Sequence, residues 1–258
     1  EVRDLVARRV REIVLIGQNV NSYGLKTPGF PTFAELLYRV ADVPGVERIR
    51  YTTSHPRDMG ADVIQAYRDL PQLTSQLHLP VQSGSNKILR RMKRYYTREH
   101  YLDVVAALRD ARPDIALSTD VIVGFADETE EDFEETMTLL DEVGFVSSFS
   151  FKYSPRPGTP ALKMTYSVSD EVASQRLTRF QARQRELSLA YHQSLQGQVF
   201  DCLVEGPSRH DEGVVCGRTS SFVMINFPGS EDLVGRTVPV RLTRAFTNSA
   251  RGELVVAP

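Results

Sequence analysis

Through the first two-thirds of the chain, apolar and β-branched runs alternate with segments whose apolar residues recur at helical spacing. Five runs read as strands: EIVLIG (12–17), RIRYTTS (48–54), QLHLPVQ (76–82), IALSTDVIVG (115–124) and FVSSFSFKY (145–153). Between them lie amphipathic helices. Thr32 opens one, with Glu35 at capping-box spacing and Phe33, Leu36, Leu37 and Val40 as its apolar face. Met59, Val63, Tyr67 and Leu70 line the next, and Tyr101, Val105 and Leu108 a third. Phe133, Met137 and Leu140 line a fourth, which follows Thr129 with an acidic first turn that suits the helix dipole. Strand and helix in strict alternation imply a parallel sheet with helices outside, open or rolled into a barrel. In either form, binding groups collect at the carboxyl ends of the strands.

Each of those ends is polar. GQNVNSYG (17–24), SHP (54–56), QSGS (82–85), GFADET (124–129) and YSPRPGTP (153–160) follow the five strands in turn. In the first, Gly17 permits close backbone approach and Gly24 an unusual turn dihedral, while Asn21 and Ser22 are expected to tie the loop to itself. Residues 169–195 then read as one long polar helix, with Leu177, Phe180, Gln184, Leu187 and Tyr191 on a stripe. After Gly197 the period becomes two. Val238, Val240 and Leu242 alternate with Pro239, Arg241 and Thr243, and short strands broken by turn residues suggest a five-stranded barrel like those that bind oligonucleotides. The expected division is 1–168, 169–195 and 196–258.

Composition narrows the chemistry. A net charge of -2 over 258 residues gives no global attraction to nucleic acid, so any RNA binding must be local. Two lone cysteines, Cys202 and Cys216, argue against a disulfide scaffold and offer no metal spacing. No apolar run is long enough to span a membrane. The charged start EVRDLVARRV, without an initiator methionine, reads as the inside of something longer. No nucleophile–base set, zinc pattern or phosphate loop stands out, although His55 and His78 near strand ends could act as bases. The stretch NKILRRMKRYYTREH, with Arg90, Arg91 and Lys93 among six cations and Tyr95 and Tyr96 between them, makes a candidate phosphate patch. Arg218, Arg241 and Arg244 add basic positions to the small barrel.

In combination, LIGQNVNSYG, RIRYTTSHPRDM, HLPVQSGSNKILRRMKRYYTREHY, STDVIVGFADETEEDFEET, FKYSPRPGTPA and SARGEL resemble the methylthiotransferase branch of the radical S-adenosylmethionine (SAM) enzymes. The octet GQNVNSYG points to the members that act on isopentenylated adenosine in tRNA, since those that modify a ribosomal protein or threonylcarbamoyl-adenosine usually differ there. The resemblance implies a partial (β/α) TIM-type barrel of the radical SAM fold, lacking its first strand, followed by a TRAM/OB-like β-barrel. It implies thiomethylation of the isopentenylated adenosine next to the anticodon, with SAM and two [4Fe-4S] clusters as cofactors. One cluster would cleave SAM reductively, and the other would carry the sulfur. The family's Cys-x-x-x-Cys-x-x-Cys motif is not in this sequence, so the chain by itself is expected to be inactive.

By the same resemblance, SAM would be held by Gln18, Asn19, Ser54, Gln82, Ser83, Arg94, Asp120, Gly124 and Glu128. Gln82 and Ser83 would address the ribose, Arg94 the carboxylate and the 120–124 strand the adenine. The implied partners are the tRNA anticodon stem-loop and an electron-donor protein, for a cytoplasmic monomer. A ribosomal-protein methylthiotransferase and a cluster-free RNA-binding scaffold remain open as alternatives. Where the family commonly reads Gly-Phe-Pro-Gly-Glu-Thr, this chain has Ala126 and Asp127 at the third and fourth places.

Overall fold

The computed structural model describes residues 1–52, 54–155, 157–158, 161, 164, 167–209 and 211–255. Helix α1 (Val2–Ala7) leads into β1 (Glu12–Leu15), α2 (Phe33–Ala41), β2 (Arg48–Tyr51), α3 (Ala61–Asp69) and β3 (Gln76–His78). Helices α4 (Asn86–Arg91) and α5 (Arg98–Ala111), strand β4 (Ala116–Val123), helix α6 (Glu130–Val143) and strand β5 (Ser147–Lys152) complete the first unit. All strand pairs in it are parallel, with Ile13 beside Ile49, Leu77 beside Leu117 and Asp120 beside Phe149. A bridge from Ile49 to Leu73 joins the two halves of the sheet. This is the partial barrel of parallel strands that the sequence pattern implies, its helices covering one side through Leu37, Tyr67, Leu108, Phe133 and Leu140.

The strands stop earlier than the sequence pattern suggests. β1 ends at Leu15 and leaves Ile16 exposed, and β2 ends at Tyr51. β3 ends after His78 because Pro80 has no N–H for the ladder, and only a bridge from Gln82 to Val121 renews the pairing. The released residues form the loops at the carboxyl ends. The capping boxes at Thr32–Glu35 and Thr129–Asp132 are both made.

Helix α7 (Asp170–Ser194) runs back along β5 and α6. Its buried stripe is Ala173, Arg176, Phe180, Gln184, Ser188 and His192, more polar than the expected one. The cause is what it covers. Gln184 donates to Phe145 O at 2.7 Å and Ser188 to Val146 O at 2.8 Å, so buried backbone carbonyls require donors from this face.

Beyond it, β6 (Val199–Pro207), β7 (Val214–Arg218), β8 (Met224–Pro228), β9 (Thr237–Ala245) and β10 (Ala250–Leu254) close a five-stranded barrel in the order β10-β8-β7-β6-β9. Cys202, Val204, Ile225, Phe227, Val240 and Leu242 fill it. The barrel docks at the amino ends of the parallel strands. Arg48 donates to Arg218 O at 2.7 Å and Asp201 O at 2.6 Å, and the Phe222 ring lies between the guanidinium groups of Arg50 (4.1 Å) and Arg218 (4.5 Å). Arg50 also binds Glu12 Oε1 at 3.1 Å and Gln76 Oε1 at 2.8 Å. Burial holds the Arg50 pKa below its ordinary value, and Glu12 opposes that shift. Replacing Arg48 with Met removes two part-buried, charge-assisted hydrogen bonds, at about 1–3 kcal/mol each. Urea melts of Arg48→Met should therefore show the small barrel melting apart from the larger unit, where the parent melts once. A single transition at the parental midpoint would contradict this docking.

Candidate functional site

At the carboxyl ends of β4 and β5 lies a cleft of about 680 Å³ whose lining includes Gln82, Arg94, Asp120, Ile122, Phe125 and Phe151. Three of the nine sequence-derived cofactor residues, Gln82, Arg94 and Asp120, thus meet in one cavity. Arg91 and Lys93, read as RNA contacts, line it too. Gln82, Lys93 and Tyr95 all take left-handed φ angles (74°, 56° and 59°), bending the chain around the rim. Arg94 Nε and Arg91 Nε are buried with no hydrogen-bond partner among the described residues. Asp120 Oδ1 lies 3.2 Å from His78 Nε2, and Ser118 Oγ fixes His78 Nδ1 at 3.0 Å.

The octet after β1 folds into a short 3-10 turn over Val20–Ser22. Ser22 ties the loop to itself, donating to Asn19 O at 2.8 Å. Asn21 does not. Its amide clasps the backbone of His55, donating to His55 O at 3.0 Å and accepting from His55 N at 2.9 Å, so it joins the first loop to the second. Gly24 has φ +78°, and a Cβ there would lie 2.0 Å from Pro31 O. Asn19 donates to Asp58 Oδ2 at 2.6 Å, leaving its buried Oδ1 without a partner among the described residues. It lines a different, largely apolar cleft of about 480 Å³ along β1, and the exposed Gln18 lines neither. Ser54 donates to His78 O at 2.5 Å.

Other candidate residues hold the loops together. Ser83 Oγ lies 3.3 Å from Thr136 Oγ1 and accepts from Ser85 N, while Gly84 lies so close to α6 that a Cβ would come within 2.3 Å of Glu135 O. Asp132 binds Ser85 Oγ at 2.7 Å and Lys87 Nζ at 2.6 Å, and Lys87 also reaches Asp127 O at 2.9 Å. Glu128 accepts from Gly124 N at 2.7 Å and pairs with the buried Arg176 at 2.9 Å. Burial raises the Glu128 pKa, against the pull of Gly124 N–H and Arg176. Asp127 takes φ 59°, a left-handed angle that a short polar residue tolerates, and pairs with Arg91 at 2.6 Å. The turn with Ala126 and Asp127 is therefore closed without the family's glycine.

The basic positions separate into two groups. Arg90 and Lys93 are exposed and make no ion pair with any described residue. Arg218 is paired with Glu205 and committed to the docking seam, and Arg241 donates to Gly197 O at 2.9 Å. Arg244 lies over the Phe246 ring at 5.2 Å. Tyr95 is exposed, but Tyr96 is buried with its hydroxyl on Val81 O at 2.8 Å, so the tyrosine pair is not one stacking surface. Asp132, Phe151 and Arg176 carried no sequence signal for these positions, in contrast to His78. Only the placement of His78 near a strand end hinted at one.

Cys202 is buried in the small barrel, its thiol pushed up to about 12 by that burial. Among the described residues no group of three or more His, Cys, Asp or Glu could hold a metal ion, so this residue set does not fit an iron–sulfur cluster. Among the same residues, no helix is long and apolar enough to cross a membrane. Arg156, Thr159 and Pro160 of the fifth polar segment, and Thr53 of the second strand run, lie outside the described residues.

Comparison with known proteins bears on the whole chain. Residues 1–140 match the radical SAM superfamily and residues 193–255 the TRAM domain. The chain is 47% identical over 256 residues to the tRNA-2-methylthio-N(6)-dimethylallyladenosine synthase of Geobacter metallireducens, a match covering 99% of this chain and 58% of that protein. It is 49% identical over 257 residues to the enzyme of that name from Bordetella avium, covering 98% and 54%. The chain thus spans little more than half the length of these relatives. Among solved structures, coproporphyrinogen III oxidase (HemN) from Escherichia coli, a radical SAM enzyme, superposes with a TM-score of 0.55 at 13% identity, over 94% of this chain and 58% of that one. That likeness concerns the fold alone.

Asp132 links three loops, and its acidity follows. Burial alone would raise its pKa, but Lys87, Ser85 and Thr129 outweigh burial and hold it down to about 2. A depressed carboxyl contributes stability that is complete above its unfolded pKa of about 4 and is lost as pH falls towards 2. Denaturant melts between pH 7 and pH 2.5 should show Asp132→Asn losing less stability on acidification than the parent, by on the order of 1 kcal/mol after solvent screening. Parallel curves would remove Asp132 from this role.

Proposed function

The chain belongs to the radical SAM superfamily, and on that premise we propose that it is the SAM- and RNA-binding part of a tRNA methylthiotransferase. The reaction is thiomethylation of the isopentenylated adenosine beside the anticodon, in the cytoplasm, with reducing equivalents from a donor protein. The observation that carries this reading is the cleft itself. Gln82, Arg94 and Asp120 converge there over an apolar floor that includes Ile122 and Phe125, in a chain whose terminal barrel matches the TRAM domain.

The residues present fit SAM. A buried guanidinium nitrogen with no described acceptor, Arg94 Nε, suits a carboxylate. Gln82 offers donor and acceptor to ribose hydroxyls, and Asp120, steadied by His78, accepts from an exocyclic amine. Ile122 and Phe125 supply apolar surface for the adenine ring. Ser83 and Glu128 shape the loops instead, because their polar atoms are already engaged. Bound SAM would supply the methyl group and the hydrogen-abstracting equivalent. The chain's own residues orient it, keep water from the adenine face and present the cleft to RNA.

Joined to the amino-terminal region of one of the relatives and supplied with reductant, SAM and isopentenylated tRNA, the chain should yield the 2-methylthio nucleoside by mass spectrometry. Product on a ribosomal protein and none on tRNA would refute the substrate assignment. In the chain alone, Arg94→Ala should weaken S-adenosylhomocysteine binding by about 1–3 kcal/mol, the cost of unpairing a buried polar partner. Asn19→Ala, in the other cleft, should cost less. Calorimetric titration that ranks them the other way would move the carboxylate site to the octet.

A further inference from the structure

β5 pairs with β4 on one edge only. Along its other edge runs a groove of about 340 Å³, floored by β5, walled by α7 and ended by the turn between β9 and β10 of the small barrel. Three features of its lining are those of a nucleotide site. Phe149 and Phe151 stand 62% and 56% exposed, unusual for phenylalanine beside a sheet edge, and offer ring surface to a base. Gln184 is buried, yet its Oε1 has no hydrogen-bond partner among the described residues, while its Nε2 is held by Phe145 O and Ser188 Oγ. A fixed, unsatisfied acceptor calls for a donor from outside. Arg185 makes no ion pair with any described residue, whereas its neighbours on α7, Arg179 and Arg183, are both paired. No acidic side chain is among the described residues lining the groove.

The far wall is rigid. His192 of α7 holds Phe246 O at 2.8 Å, and Phe246 N donates to Ser249 O at 2.8 Å, which places Thr247 and Asn248 at the groove's end. Arg244, with no carboxylate partner among the described residues, lies just before that turn. Phe151 lines both this groove and the SAM cleft, so the two are neighbours across one side chain.

We infer that this groove is a second nucleotide subsite, taking an unpaired base of the RNA substrate between Phe149 and Asn248, with a phosphate on Arg185. The inference rests on the tRNA reading above and adds where a loop nucleotide outside the reacting one is held. A base N–H meets Gln184 Oε1, a ring stacks on Phe149, and the charge of one phosphate is met by an arginine that no carboxylate has taken. An acidic peptide shares the charge and has backbone N–H donors, but its carboxylates come with no planar base to stack on Phe149.

Fluorescence anisotropy with a labelled RNA stem-loop, and with a blunt duplex of the same stem, tests this. Phe149→Ala and Asn248→Ala alter exposed side chains, so folding should be retained, as unchanged melting would confirm. Combined, they should weaken stem-loop binding by about tenfold, in the range expected for losing one stacked base, and leave duplex binding unchanged. Arg185→Ala should reduce the salt slope by about one. Stem-loop affinity equal to the parent's would overturn the subsite while leaving the tRNA reading intact. An equal loss on duplex, or displacement of the stem-loop by an acidic peptide, would overturn it as well. Absence of RNA binding by the parent chain would overturn both readings.

Discussion

The ion pair between Glu128 and Arg176 holds the site to the rest of the molecule. Both side chains are almost wholly buried, and desolvating two charges costs several kcal/mol that their attraction alone does not return. Further hydrogen bonds are needed to offset that cost, and several are made. Glu128 accepts from Gly124 N, and Arg176 donates to Glu128 O and reaches Glu130. The pair therefore fixes at once the turn after β4, the first turn of α6 and the start of α7. Removing one member would leave an uncompensated buried charge, typically a loss of 3–5 kcal/mol. Such a contact favours one arrangement of the three elements, because moving any of them would separate Arg176 from Glu128 Oε2, Glu128 O or Glu130.

α7 carries that constraint across the molecule. Its 25 residues span roughly 37 Å at 1.5 Å per residue, with Arg176 near one end and His192 near the other. Arg176 holds the loops at the carboxyl ends of the strands, and His192 holds the turn at Phe246 in the small barrel. Arg48 and Arg50 fasten the small barrel independently at the amino ends. Two attachments far apart restrict both translation and rocking, so the groove beside β5 has a floor and an end wall set by separate contacts.

Sequence period revealed the elements because each helix shows one apolar face and each strand is a compact apolar run. Thr32 and Thr129 marked helix starts through local chemistry, and both boxes formed. Three things were not legible. Strand ends were overestimated, since Ile16 looks β-prone but lies past the last paired residue of β1, and Thr52 keeps only its N–H on Leu15 O beyond the end of β2. The stripe expected on α7 holds Phe180 and Gln184, but its other members give way to Arg176, Ser188 and His192, which face backbone and carboxylate groups distant in sequence. The site was gathered only in part. Gln82, Arg94 and Asp120 converge because β3 and β4 are neighbours in the sheet, while the octet is drawn by Asn21 to the loop after β2. No local pattern encodes a partner thirty or more residues away.

A net charge of -2 leaves no long-range pull on RNA, so recognition depends on which cations remain uncompensated. Composition counts Arg91, Arg98, Arg176, Arg179, Arg183 and Arg218 as basic, but each is paired with a carboxylate that cancels its field beyond a Debye length of about 8 Å. Lys93, which lines the cleft proposed for SAM, and Arg185 and Arg244, beside the β5 groove, have no such partner among the described residues, nor does Arg90. A polyanion gains little from the first group, since each contact there must first break an ion pair. It gains directly from the second. The folded chain thus leaves unpaired cations, Lys93 and Arg185 among them, in the two cavities that share Phe151, and the RNA strand proposed above would cross that side chain in passing from one to the other.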